Sequence, residues 1–131
     1  MSQVLVDSSS WIEFFLRPDG HTGRTVAFLM EARLAVLSGP VYSEVVSGAR
    51  DQATFRKLAT HFAALRHLQP PDDIWDRVAR SRFDLARRGI QASLIDLLIA
   101  WTAVSNAAPV LTLDKDFHRL APIVPVVLYR S

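Results

Sequence analysis

Short apolar runs alternate with helix-patterned segments along the whole chain, and this alternation restricts the fold more than any other feature. Val4-Leu5-Val6, Leu34 to Leu37, Val110 to Thr112 and Val124 to Leu128 read as short buried strands, with Arg66 to Leu68 a minor one. Between them come Trp11 to Leu16, with Ser8 to Ser10 as its cap, and then Arg24 to Ala32. Val41 to Ser47 is entered at Pro40 and stops at Gly48; Asp51 to Ala64 follows. A long helix from Asp73 to Arg88 closes at Gly89, another opens at Ser93, and Lys115 to Leu120 forms a short helical turn. Strands alternating with helices predict an α/β fold: a three-layer α/β/α sandwich around a short, mainly parallel sheet. The 131 residues are expected to form a single domain, residues 1–131, burying roughly two-thirds of the unfolded surface.

Composition removes several functional classes. Half the residues are apolar, so a packed core is available and disorder is not expected. The absence of cysteine removes disulfides, zinc–thiolate sites and thiol nucleophiles, and suits a reducing cytoplasm. The N-terminal MSQVLVDSSS lacks the basic and apolar regions of a signal peptide. The longest apolar run, Leu94 to Val104, falls short of the ~20 residues a membrane helix needs, so no membrane partner is expected. A net charge of +2 with a pI of about 9.5 permits nucleic-acid binding without arguing for it.

One carboxylate stands out. Asp96 lies among Leu94, Ile95, Leu97, Leu98, Ile99 and Trp101, a stretch that reads as a helix buried all round. An unpaired ionised carboxylate there would be costly, and a bound cation would relieve it. In a parallel sheet, ligands bind beyond the carboxyl ends of the strands. Asp7 ends the first strand, Glu44 lies in the first turns of the helix after the second, Asp96 opens the helix before the Val110 to Thr112 strand, and Asp114 and Asp116 follow that strand directly in LTLDKDF. Each acid also has an ordinary reading: Asp7 as a helix cap, Glu44 as a first-turn acid, Asp96 in a capping box with Ser93, Asp114 and Asp116 as turn formers. Together at one edge they would repel one another and favour a hard cation, Mg²⁺ or Mn²⁺, over zinc. One such ion activates water and polarises phosphate, and two about 3.5–4 Å apart clamp both reacting oxygens, which points to phosphodiester hydrolysis.

Four strings, VLVDSSSWIEF, VYSEVV, SLIDLLIAWTA and LTLDKDFHRLA, in this order and at these separations, resemble the PIN-domain family over essentially the whole chain. The match is with its small VapC-type toxins of bacterial type II toxin–antitoxin pairs. That resemblance implies a Mg²⁺- or Mn²⁺-dependent endoribonuclease with Asp7, Glu44, Asp96 and Asp114 as its catalytic acids. Asp7, Asp96 and Asp114 would bind metal, with Asp116 an auxiliary ligand, and Glu44 would bind metal or orient the attacking water. Relatives often carry Thr directly after the first acid; Ser8 keeps the hydroxyl here, and Thr112 keeps one that can reach a carboxylate. The resemblance also implies a homodimer and a VapB-like antitoxin whose tail lies in a groove, with Trp11, Phe14, Phe15, Phe28 and Leu29 as lining candidates beside a plain core role.

The remaining charged and aromatic residues are less specific. Arg77, Arg80, Arg87 and Arg88 form a basic stripe broken by Asp76 and Asp84, readable as a solvated face or an RNA backbone track. Arg82 falls on the apolar side, with Ile74, Val78, Ala79, Leu85 and Ala86, either running out along that face or reaching the acids. His21, His61, His67 and His118 have no metal-ligand spacing, and Trp75 and Trp101 are expected in the core. Two other readings compete: an aspartyl-nucleophile phosphatase, which usually carries a second Asp where Ser9 stands, and a non-catalytic PIN-like module docking a basic partner.

Overall fold

Four parallel strands build the sheet: β1 (Val4–Val6), β2 (Ala35–Ser38), β3 (His67–Leu68) and β4 (Val110–Leu111), in the order β3-β2-β1-β4. The structure is a computed structural model describing residues 2–130. Seven helices are seen among these residues: α1 (Ser8–Leu16), α2 (His21–Glu31), α3 (Gly39–Ser47), α4 (Gln52–Ala63), α5 (Ile74–Arg87), α6 (Leu94–Ser105) and α7 (Asp116–Leu120). The expected three-layer α/β/α sandwich is what forms. β1 and β2 are buried at every position, as central strands covered on both faces must be. Because all pairings are parallel, the carboxyl ends of the strands lie along one edge.

Local signals account for most boundaries. Asp51 caps α4 by accepting the Thr54 N–H at 2.7 Å, and Pro40 stands in the first turn of α3. Gly89, at φ 76°, takes the left-handed conformation that ends α5. Gly23 is required by space: a Cβ there would lie 2.3 Å from the Arg17 carbonyl oxygen. The core joins α1 to α4 through Trp11 and Phe62, with ring centroids 4.9 Å apart and edges crossed.

Four expectations need correction. The strand proposed over Val124 to Leu128 is reduced to one parallel bridge, Val110 to Leu128. Pro125 lacks the N–H a ladder needs, and Pro122 precedes it. Trp75 is 64% exposed instead of in the core, and Ala79 and Ala86 are also exposed. The stripe of α5 that turns inward is Ile74, Val78, Ser81 and Leu85. Ser81 belongs in that seam because its hydroxyl accepts the Trp101 indole N–H at 3.0 Å and donates to the Arg77 carbonyl. α6 is not buried all round: Leu94 and Ile95 are exposed in its first turn. Finally, α1 begins at Ser8 and α2 at His21, each earlier than the apolar pattern indicates.

Candidate active site

The sheet edge gathers the predicted acids. Asp7 directly follows β1 and stands at the N-cap position of α1, yet its side chain makes no capping hydrogen bond. Its carboxylate turns toward β4. Oδ2 accepts the Thr112 hydroxyl at 2.9 Å and the Ser9 hydroxyl at 3.3 Å. The Thr112 oxygen in turn accepts the Asp114 N–H at 2.9 Å, and Ser9 Oγ accepts the Leu113 N–H at 3.0 Å. Two strand ends are thus tied together by hydroxyls, and the loop that carries Asp114 is held against Asp7.

Asp96 reaches the same edge from the first turn of α6. Ser93 caps that helix, its Oγ accepting the Asp96 N–H at 3.0 Å. Asp114 Oδ1 accepts the Asp116 N–H at 2.9 Å, which folds the DKD turn back on itself. As a result Asp96, Asp114 and Asp116 each present a carboxylate oxygen within 4.8 Å of the other two. Asp7 and Glu44 lie outside that triad; the charge of Asp7 reaches Asp96. Glu44, exposed on α3, accepts the Ser8 hydroxyl at 2.9 Å and adds its charge to the surroundings of Asp7.

Electrostatics follow from this crowding. Burial pushes the Asp7 carboxyl above its ordinary value, and the charge of Glu44 adds to the rise; bonds from Thr112, the Ser8 backbone and Ser9 oppose it. Asp96 is also raised, first by burial and then by the charges of Asp114, Asp7 and Asp116, while Ser93 opposes. The nearest basic group, Arg119, is 3.7 Å from Asp116, an exposed pair worth at most about 1 kcal/mol. Three converging carboxylates with so little positive charge among them match a hard divalent cation, whose ligands are oxygens. Thiolate and imidazole, the softer donors, are not part of the cluster.

The other candidate groups lie elsewhere. Arg82 donates from Nε to the Ala92 carbonyl at 3.2 Å, so it is engaged at the α5–α6 connection instead of at the acids. Arg77 pairs with Asp73 at 2.8 Å and covers the Trp101 ring, and Arg80 pairs with Asp84 at 3.4 Å. Arg87 lies over the Phe83 ring, and Arg88 and His118 are exposed. Of the five groove candidates, Trp11 and Leu29 are fully buried and cannot line a surface. Phe14 is partly buried against the core, whereas Phe15 and Phe28 are exposed, as are Ile12 and Leu16 of α1. Ser9 is the site residue the sequence reading overlooked as a partner of Asp7. Its place two residues on, in a run of three serines, was the available signal.

Comparisons with known proteins agree with this architecture. The PIN-domain family model matches residues 4–122. Ribonuclease VapC11 of Mycobacterium tuberculosis is 32% identical over 124 residues, covering 92% of each chain. Ribonuclease VapC5 of the same organism is 32% identical over 129 residues, covering 97% of this chain and 88% of its own. Among solved structures, VapBC2 from Rickettsia felis, bound to a promoter DNA fragment, aligns with a TM-score of 0.75 at 18% identity over 96% of each chain. VapBC-1 from nontypeable Haemophilus influenzae aligns at 0.74 and 20% identity, over 98% of this chain and 96% of that one. With the fold, the acidic edge and these relatives in agreement, the chain belongs to the PIN-domain family, in its VapC group.

Proposed function

We propose that this protein is a metal-dependent endoribonuclease, the toxin of a toxin–antitoxin pair, which hydrolyses RNA phosphodiester bonds at the acidic edge. The observation that carries the reading is the convergence of Asp96, Asp114 and Asp116 within 4.8 Å, beside a buried Asp7. Relatives named as ribonucleases, similar over nearly the full chain, support the same substrate class.

Asp96 and Asp114 would hold Mg²⁺ or Mn²⁺, with Asp7 a further ligand from the buried side and Asp116 an auxiliary one. When bound, the ion supplies stabilisation of charge developing on a phosphate oxygen and lowers the pKa of an attendant water. The protein's own groups then do the positioning. Thr112 and Ser9 fix one oxygen of Asp7, and a bond from the Ser8 backbone holds the carboxylate further. Ser8 holds Glu44 beside Asp7, where a carboxylate can orient the attacking water and take up its proton. Each raised carboxyl is ionised more readily when a cation is near, so cation binding and ionisation reinforce one another.

A VapB-like antitoxin is the expected protein partner. The exposed apolar residues of α1 and α2, Ile12, Phe15, Leu16 and Phe28, are the candidates to receive its tail. The homodimer implied by the resemblance has its own apolar surface available, a groove of about 940 Å³ lined by Trp75, Phe83 and Leu94 among others. A cytoplasmic location fits the lack of cysteine.

The test is cleavage of total RNA by the purified protein with Mg²⁺ or Mn²⁺, beside Asp96→Asn and a chelator control. Cleavage should need both the cation and Asp96. Full activity in EDTA or in Asp96→Asn would remove the mechanism. A phosphoenzyme would favour an aspartyl phosphatase, and tight partner binding without cleavage would favour a docking module.

A further inference from the structure

Ser38 ends β2 and leads into α3, the helix that carries Glu44. The register pairs Val4 with Ala35 and Leu5 with Val36, and continued two residues further it sets Asp7 opposite Ser38. On the other side Leu5 pairs with Val110, which sets Thr112 beside Asp7. Paired residues of neighbouring strands project to the same face. Thr112, Asp7 and Ser38 therefore form one polar row across three strands at the carboxyl edge.

The two hydroxyls flanking Asp7 are in different states. Thr112 is bonded to Asp7 and to the Asp114 N–H. Ser38 is 1% exposed, and its hydroxyl has no partner. It stands at the N-cap position of α3, where a serine ordinarily accepts a helix N–H, yet it makes no such bond. Among the described residues only one other buried side-chain polar atom, the Trp11 indole nitrogen, is equally unpaired. A buried hydroxyl without a partner is a standing cost that alanine would avoid. Such a group asks for a reason, and its place beside the acidic edge supplies one.

We propose that Ser38 is a positioning residue of the acidic centre, the hydroxyl that steadies the Asp7 side of the site once a divalent cation is bound, opposite Thr112. This rests on the reading that the carboxylate cluster takes such a cation. Thr112 and Ser9 both donate to Oδ2 and the Ser8 backbone also bonds the carboxylate, all from the β4 and α1 sides, while Ser38 is the hydroxyl on the β2 side of Asp7.

The experiment compares the full-length wild type, Ser38→Ala and Ser38→Thr by Mn²⁺ titration calorimetry and by melting temperature in EDTA. The wild type should bind Mn²⁺. Ser38→Ala should melt in EDTA at or above the wild type, because it loses an unpaired hydroxyl. It should bind Mn²⁺ roughly tenfold more weakly, the lower end of what an outer partner of a metal ligand contributes. Ser38→Thr, which keeps the hydroxyl, should recover most of that affinity. Unchanged Mn²⁺ affinity in Ser38→Ala overturns the inference while leaving the metal site standing. A large fall in its EDTA melting temperature also overturns it, since that marks a structural hydroxyl. A folded Ser38→Thr that recovers nothing counts against it too. Failure of the wild type itself to bind Mn²⁺ removes the metal site and this inference together.

Discussion

Replacing Thr112 with valine tests how the site is held together before any cation arrives. The substitution keeps the branched shape and removes only the hydroxyl. That hydroxyl donates to Asp7 Oδ2 at 2.9 Å and accepts the Asp114 N–H at 2.9 Å. A hydrogen bond to a charged acceptor is worth about 1.5–3 kcal/mol, and one between neutral groups about 0.5–1.5 kcal/mol. Thr112 is only half-buried, so water can replace part of the second bond, while the buried Asp7 has less recourse. The expected loss at pH 7 is about 2–3 kcal/mol, dominated by Asp7. For a chain of this length that lowers the melting temperature by about 6–15 °C.

The pH dependence has a definite sign. Burial raises the folded-state pKa of Asp7 above its unfolded value, and the Thr112 bond works against that rise. The folded protein thus binds more protons than the unfolded one between those two values, and Asp7 costs stability as pH climbs through that interval. Removing Thr112 raises the folded pKa further and enlarges the cost. Below the ordinary aspartate value both states are protonated and the difference between variant and wild type should shrink. Scanning calorimetry in EDTA from pH 4 to pH 7 measures this, with Thr112→Ser as the control that keeps the hydroxyl. A valine variant that melts within about 1 °C of the wild type at pH 7 would refute the reasoning, since that is under 1 kcal/mol. So would a gap that does not narrow on acidification.

Asp96→Asn should raise the metal-free melting temperature at pH 7, because it removes a carboxylate that burial and three neighbouring acids disfavour, and should abolish RNA cleavage on a gel. The wild type in EDTA should gain stability as pH falls from 7 toward the ordinary aspartate range, and saturating Mg²⁺ should flatten that slope; thermal melts across pH with and without the ion decide it. Gly23→Ala should destabilise by about 1–3 kcal/mol in urea unfolding, because its Cβ meets the Arg17 and Pro18 carbonyl oxygens at the α1–α2 turn. Phe28→Arg should leave RNA cleavage intact and weaken capture of the cognate antitoxin at least tenfold by calorimetry; unchanged capture would move the antitoxin to another face.

Much of the fold was legible in order along the chain. Val4-Leu5-Val6 and Val110-Leu111 are apolar and mostly β-branched, and Gly48 and Gly89 lie just past the last residues of α3 and α5. These are local preferences, readable wherever they occur. The acids were legible as a set because Asp7, Asp114 and Asp116 closely follow strand ends that parallel pairing sends to one edge, while Glu44 and Asp96 lie on the helices that follow β2 and precede β4.

Only the tertiary structure decided which side of an element meets which neighbour. α5 carries apolar residues on two sides, and packing against α6 chose Ile74, Val78 and Leu85 while leaving Trp75 in solvent. Leu94 and Ile95 look as buried as Leu97, yet they occupy the first turn of α6, where the helix runs out past its cover. The apolar tail from Val124 to Leu128 looked like a strand, but paired at a single bridge beside Pro125. The bond from Thr112 to Asp7 and the place of Ser38 follow from strand register, and the spacing of Asp96, Asp114 and Asp116 from where α6 begins and how the turn after β4 folds. Periodicity encodes which residues avoid water, a property of each side chain and its near neighbours. Who covers whom depends on contacts between segments a hundred residues apart, and those exist only once the sheet has assembled.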